Sequence, residues 1–307
     1  MSVSAYEAQR QKIASGKGFI AALDQSGGST PKALVQYGIP ESAYNGEAEM
    51  FKKVHEMRTR IITAPAFNGE KIVGAILFER TMDDTIKGVP TAQFLWEKLG
   101  VVPFLKIDQG LADEQDGVQI MKPMPKLDDL LTRAVAAGIF GTKMRSVVNK
   151  ASPTGIAAVV KQQFEVAQKI LGYGLTPIIE PEVNIKSGDK AESEKILKSE
   201  ILKHLDALPD GQKVIFKLTL PEEPNFYSDL VKHKKTLKVV ALSGGYALDE
   251  SCKRLSENEG VIASFSRALT NGLQASQNDA EFNAALQKTI DQIFTASVQK
   301  TSKARAA

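Results

Sequence analysis

Short apolar runs recur along the chain, and longer segments with helical periodicity separate them. Eight of these runs have the length and the residue content of strands. Apolar and polar positions do not alternate within them, which is typical of strands buried on both faces of a parallel sheet. The runs predict strands at 19–23, 72–78, 101–107, 139–143, 175–179, 213–218, 238–242 and 261–265.

The segments between the strands carry apolar residues at helical spacing. Eight alternating units without a break in composition favour an α/β fold, a single (β/α)₈ TIM barrel with additional N- and C-terminal helices, as one domain over residues 1–307. A doubly wound open sheet is the alternative, but its first turn would normally read Gly-x-Gly-x-x-Gly, a spacing that 24–29 lacks. Helices are predicted at 1–16, 47–60, 155–171, 190–205, 249–259 and 279–298.

Composition narrows the function classes. The net charge of +3 is small for 307 residues and no basic run is interleaved with aromatic residues, so we expect no nucleic-acid partner. No run is long and apolar enough for a membrane span, and the polar N-terminus lacks the core of a signal peptide. A single cysteine, Cys252, and three scattered histidines argue against disulfides and a metal site. We therefore predict a cytoplasmic globular protein without a metal.

Almost every apolar run ends in a polar or charged residue at its C-terminal edge. In a barrel, these ends converge on one mouth, where active sites of this fold are built. The succession predicts a convergent site. The residues at these ends are Asp24, Glu79, Lys106 with Asp108, Lys143 with Arg145, Glu180 with Glu182, Lys217, Ser243, and Ser264 with Arg267.

Lys217 lies in an apolar run, 214–220, that should be buried. An unpaired ammonium group there is costly, so the lysine must find a partner, reach solvent or lose its proton. A second cation, such as Lys143 or Lys106, would favour the neutral amine that attacks carbonyl carbon. The alternative is a lysine at the strand edge that is paired with a carboxylate.

Glu180 and Glu182 lie two residues apart just beyond the fifth strand, so their side chains should point to the same face. Close carboxylates push each other's titrations apart, which leaves one able to donate a proton and one charged. The pair can equally serve as ion-pair partners for Lys143 and Lys217. Asp24 is either a helix cap or a general base, and neighbouring serines could do the capping instead.

Two groups of residues are suited to phosphate. After the seventh strand, Ser243 with Gly244 and Gly245 lets backbone N–H groups approach an anion, and Ser264 with Arg267 follows the eighth strand. Loops after these two strands are the usual phosphate site of the fold. A second anion site is predicted across the mouth, from Ser26, Ser29, Lys106 and Arg145.

This constellation resembles the class I, Schiff-base fructose-bisphosphate aldolases, and the compact length is closer to their short microbial branch. Matching pieces occur in the same order on successive strands. They cover 16–24, 76–78, 104–108, 143–145, 177–182, 216–217, 242–245 and 264–269.

The resemblance implies an activity and a set of roles. The reaction would be reversible aldol cleavage of fructose 1,6-bisphosphate in glycolysis and gluconeogenesis, with no metal or cofactor. Lys217 would form the Schiff base, Glu180 would dehydrate the carbinolamine beside Glu182, Asp24 would take the C4 hydroxyl proton, and Lys143 would stabilise charge. The C1 phosphate would bind Ser243, Gly244, Gly245, Ser264 and Arg267, and the C6 phosphate Ser26, Ser29, Lys106 and Arg145. The resemblance further implies a homo-oligomer, a tetramer, with sugar phosphates as ligands.

The sequence departs from the animal members in three places. Those enzymes end in a tyrosine that exchanges a proton with the enamine, whereas no tyrosine follows Tyr246 here. Gln25 stands where they have glutamate and Ala33 where they have arginine. Two other hypotheses stay open: a Schiff-base barrel with one phosphate site, such as a transaldolase or deoxyribose-phosphate aldolase, and a non-catalytic barrel used as an adhesion or scaffolding surface.

Overall fold

The computed structural model describes residues 3–26 and 29–301, and its centre is a ring of eight parallel strands. Neighbours in the ring follow chain order, and a hydrogen bond from the Ala22 amide to the Phe265 carbonyl (3.4 Å) links the first strand to the segment after the last. The predicted barrel is confirmed. Its strands are β1 (Phe19–Leu23), β2 (Ile72–Leu77), β3 (Val102–Lys106), β4 (Gly141–Val148), β5 (Thr176–Val183), β6 (Val214–Thr219), β7 (Thr236–Leu242) and β8 (Val261–Ala263).

Helices surround this ring, and side chains cap the start of two of the described helices. The Ser152 side chain accepts a hydrogen bond from the Gly155 amide at the start of the longest connecting helix, and Asn278 and Glu281 form a reciprocal capping box on the last helix. The described residues form α1 (Val3–Ser15), α2 (Ser29–Gln36), α3 (Gly46–Thr63), α4 (Glu79–Asp83), α5 (Thr91–Gln93), α6 (Leu127–Ala136), α7 (Pro153–Gly172), α8 (Lys190–Ala207), α9 (Ser228–Lys232), α10 (Leu248–Ser256) and α11 (Asp279–Val298). No helix among them is long and apolar enough to cross a membrane.

The apolar core has two parts, and the smaller part determines where the site lies. It contains strand residues such as Phe104, Ile178 and Ile215, and α1 contributes Ile13 to it. Side chains two positions apart on a strand share a face. Lys106, Glu180 and Lys217 each follow one of these three residues by two positions, so they continue the same interior face toward the C-terminal ends of the strands. The barrel interior is thus apolar below and charged above.

Two strands continue well past their predicted C-terminal ends. β4 runs to Val148 and β5 to Val183, so Glu180 and Glu182 lie within β5 and not beyond it. Charged side chains were read as strand ends, but here they pair across the ladder and the strands continue. The last residues, 302–307, and the side chain of Ser29 lie outside the described part of the chain.

Candidate active site

Two buried lysines and two buried carboxylates form the centre of the mouth. Lys217 Nζ lies 3.1 Å from Glu180 Oε1, and Lys143 Nζ lies 3.2 Å from Glu180 Oε2. Lys143 Nζ also lies 2.5 Å from Asp24 Oδ2. Glu180 therefore bridges the two ammonium groups, and all four residues are at most 7% exposed.

The surroundings fix the charge of two of these groups. Burial by itself raises the pKa of the Asp24 carboxyl, but Lys143 and Lys217 outweigh it and hold that pKa well below its ordinary value of 3.8. Burial alone lowers the pKa of Lys143, but Asp24 and Glu180 outweigh this effect and hold it well above 10.5. Asp24 is therefore a carboxylate and Lys143 a cation at neutral pH.

A second layer of ion pairs surrounds this centre. Arg145 Nε lies 2.5 Å from Glu182 Oε2, and Lys106 Nζ lies 2.8 Å from Asp108 Oδ1. Glu182 thus pairs with a guanidinium group and not with either central lysine. The other oxygen of Asp108 is buried without a hydrogen-bond partner in the described residues. Asp108 was noticed only as a strand-end residue, and the structure makes it the carboxylate that holds Lys106.

The loops after β7 and β8 lie close together. Gly244 and Gly245 have φ of +61° and +115°, a region that favours glycine. A Cβ atom at Gly245 would lie 3.4 Å from the Arg267 guanidinium, so the Gly245 backbone and the guanidinium group border the same small volume. The Ser264 hydroxyl is buried without a hydrogen-bond partner in the described residues, and Ser243 is buried beside the glycines.

Some predicted residues lie elsewhere or are less defined. Glu79 begins α4 and pairs with Arg133 of α6 instead of joining the central charges. Ser26 is half-buried in the loop after β1, while the Ser29 side chain is not described. Gln25, the departure from the animal enzymes, donates from Nε2 to Ser266 Oγ at 2.6 Å and thereby joins the loops after β1 and β8.

Sequence reasoning missed one buried cation beside the site. Arg58 is 1% exposed, and its Nη2 donates to the Gln25 carbonyl at 2.5 Å. The signal was present, because Val54, Met57 and Ile61 form an apolar stripe on α3 and Arg58 falls within it. In the described residues, no group of three or more histidine, cysteine, aspartate or glutamate residues is arranged to hold a metal ion.

Comparison with known protein families places most of the chain in one family model. The family described as fructose-bisphosphate aldolase class-I matches residues 6–257. A relative from Synechocystis sp. named fructose-bisphosphate aldolase class 1 is 56% identical over 298 residues, which is 97% of this chain and 99% of the relative.

Solved structures show the same fold at low identity. A Plasmodium falciparum fructose-bisphosphate aldolase, solved in a ternary complex with TRAP and a small-molecule inhibitor, superposes with a TM-score of 0.77 at 18% identity, over 98% of this chain and 97% of that one. An archaeal fructose-1,6-bisphosphate aldolase, with its catalytic lysine bound to the carbinolamine intermediate, gives a TM-score of 0.54 at 11% identity, over 94% and 99%.

Proposed function

The chain belongs to the class I fructose-bisphosphate aldolase family, and from that membership we propose that Lys217 is its Schiff-base nucleophile. The protein is an enzyme of this class, a metal-independent lyase that reversibly cleaves fructose 1,6-bisphosphate to dihydroxyacetone phosphate and glyceraldehyde 3-phosphate in glycolysis and gluconeogenesis. We further propose roles for the residues around Lys217.

The assignment rests on the different numbers of carboxylates that contact the two central lysines. Lys143 contacts two carboxylates, at 2.5 and 3.2 Å, and they hold it as a cation. Lys217 makes one carboxylate contact within the described residues, to Glu180, which it shares with Lys143. Lys217 is therefore the lysine that can give up a proton and react, and Lys143 is the fixed charge beside it.

Proton transfer between Lys217 and Glu180 accounts for the first steps. The ammonium group passes a proton to Glu180 over 3.1 Å and becomes a free amine. That amine attacks the C2 ketone of the sugar to give a carbinolamine. Glu180 then returns the proton to the carbinolamine hydroxyl, which leaves as water, and the iminium forms.

Asp24 and Lys143 act on the following step. Asp24 is ionised at neutral pH, so it can accept the proton of the C4 hydroxyl. As that proton leaves, the C3–C4 bond breaks, and its electrons move to the iminium to form the enamine. Lys143 stays charged and stabilises the negative charge that develops. Protonation of the enamine and hydrolysis of the iminium release dihydroxyacetone phosphate.

The two phosphates bind at opposite sides of the mouth in this proposal. The C1 phosphate binds the N–H groups of Gly244 and Gly245 and the Arg267 guanidinium. The closeness of Gly245 to Arg267 supports this arrangement. The hydroxyls of Ser243 and Ser264 complete that side. The C6 phosphate binds Ser26, Ser29, Lys106 and Arg145.

Assembly and location are inferred from the family. We propose a homotetramer in the cytoplasm, a location that fits a chain whose one cysteine, Cys252, is buried and unpaired. Sedimentation of the purified enzyme tests the assembly.

The experiment compares two buried lysines of equal exposure. Lys217 and Lys190 are both 4% exposed, and Lys190 pairs with Glu194 outside the centre. Lys217→Met should lower kcat by at least about a thousandfold because the nucleophile is gone, while Lys190→Met keeps the activity of its folded fraction. EDTA should leave turnover unchanged. Full turnover by Lys217→Met, or loss of activity in EDTA, would refute the proposal.

A further inference from the structure

Arg58 is a buried cation whose hydrogen bonds go to neutral oxygens. Its Nη1 donates to Thr81 Oγ1 at 2.8 Å and its Nη2 to the Gln25 carbonyl at 2.5 Å. Burial lowers the pKa of Arg58 to about 10, and the charge of Asp24 partly offsets that effect. A guanidinium group buried at 1% exposure is costly unless its donors are used. The groups that Arg58 contacts should therefore explain why it is buried here.

The group that Arg58 holds is the backbone next to the proposed base. Gln25 follows Asp24 directly, so the Arg58 contact fixes the chain one residue beyond that carboxylate. The Gln25 side chain in turn donates to Ser266 Oγ at 2.6 Å, in the loop that carries Arg267. One guanidinium group thus ties α3 and Thr81 of α4 to the β1 loop, and through Gln25 to the β8 loop.

The Arg58 contact on one side of Asp24 is balanced by an attraction on the other side. Lys143 attracts the Asp24 carboxylate at 2.5 Å, and their charges are opposite. A loop freed from Arg58 would let the carboxylate, still paired with Lys143, shift away from the C4 hydroxyl. Displacement of a catalytic group by about 1 Å can cost about a hundredfold in rate.

We propose that Arg58 is a positioning residue for carbon–carbon bond cleavage: through the Gln25 carbonyl, it holds Asp24 where it can take the C4 proton. This inference rests on the proposed role of Asp24. It separates two steps, because formation of the Schiff base uses Lys217 and Glu180, whereas cleavage also needs Asp24 in place. A residue that merely stabilised the fold would affect both steps alike.

The test measures both steps on Arg58→Met and on a matched control, Arg60→Met. Arg60 lies on the same helix and also donates to backbone, to the Gln277 carbonyl at 2.5 Å, and its guanidinium lies 4.3 Å from the Phe282 ring centroid, away from the mouth. Cleavage is followed as kcat for fructose 1,6-bisphosphate. Schiff-base formation is followed as the rate of borohydride trapping with dihydroxyacetone phosphate, per folded protomer.

We expect Arg58→Met to lower the cleavage kcat between about tenfold and a hundredfold, with trapping within about twofold of the wild type. Asp24→Asn should show the same split, and Arg60→Met should not. If Arg58→Met folds too poorly to assay, the ratio of cleavage to trapping in Arg58→Lys decides. An unchanged ratio in the Arg58 variant overturns the inference, whether both rates are normal or both fall together. Absence of trapping on Lys217 in the wild type would instead overturn the proposed mechanism itself.

Discussion

Replacing Glu180 by glutamine isolates the carboxylate that bridges the two central lysines. Glu180 is 3% exposed and lies 3.1 Å from Lys217 and 3.2 Å from Lys143. Together with Asp24, these three residues make a cluster of two lysines and two carboxylates. Glu180→Gln keeps the shape but leaves one positive charge uncompensated in a buried site. Breaking a buried pair in this way costs about 3–5 kcal/mol of unfolding free energy.

The catalytic effect of Glu180→Gln should be separable from that destabilisation. A missing general acid slows a proton-transfer step by about 10²–10⁴-fold, which corresponds to about 2.7–5.4 kcal/mol of activation free energy. The affected step is dehydration of the carbinolamine, so the rate of borohydride trapping with dihydroxyacetone phosphate should fall by that factor.

The control is Glu194→Gln. Glu194 is 2% exposed and pairs with Lys190 at 2.5 Å, so its loss should destabilise the fold by a similar amount without slowing trapping per folded protomer. Rapid-quench trapping, combined with urea unfolding of both variants, measures the two effects. Trapping at the wild-type rate by Glu180→Gln, or equal slowing by Glu194→Gln, would refute the assignment of Glu180 as the acid.

Three further predictions address the phosphates, pH and the last helix. Arg267→Met should raise KM about tenfold or more for both fructose 1,6-bisphosphate and fructose 1-phosphate, because a charge-assisted hydrogen bond contributes about 1.5–3 kcal/mol. Arg145→Met should raise KM for the bisphosphate alone. Equal effects of Arg145→Met on both sugars would contradict this assignment. The folded-state pKa of Asp24 lies below 3.8, so its charge stabilises the fold above that pH and the stabilisation is lost as pH falls through the folded-state value. The difference in unfolding free energy between wild type and Asp24→Asn, measured in urea, should therefore shrink below pH 3.8, and a constant difference would oppose it. Asn278→Ala should cost about 1 kcal/mol and lower the melting temperature without changing kcat, and an unchanged melting temperature would argue against the cap.

The barrel could be predicted from the sequence because its strands are nearly uninterrupted apolar runs. The ends of β4 and β5 could not. Arg145 and Glu182 were read as the point where each strand leaves the core, but the two side chains pair at 2.5 Å. Arg145 also stands beside Glu180 in the ladder. An ion pair between neighbouring strands lets a strand continue through charged residues. The pattern of a single strand in the sequence does not reveal such a pair.

For the candidate site too, the positions along the chain could be predicted from the sequence, but the contacts between them could not. Residues at strand ends could be listed from order along the chain, because parallel strands bring their C-terminal ends together. Which charges then pair depends on the closed ring, so the bridge through Glu180 and the Lys106–Asp108 pair needed the structure. Glu79 was a false member because the chain turns into α4 at that residue. Arg58 was missed because it lies on a helix.

Mapping the lysine that reacts with the substrate tests the role of Lys217 directly. The wild-type enzyme is incubated with dihydroxyacetone phosphate, reduced with borohydride, digested, and its peptides are mapped by mass spectrometry. We expect one reduced adduct, on Lys217, and an unmodified Lys143, because Asp24 and Glu180 hold Lys143 as a cation. An adduct on Lys143 or any other lysine, or no adduct, would contradict it.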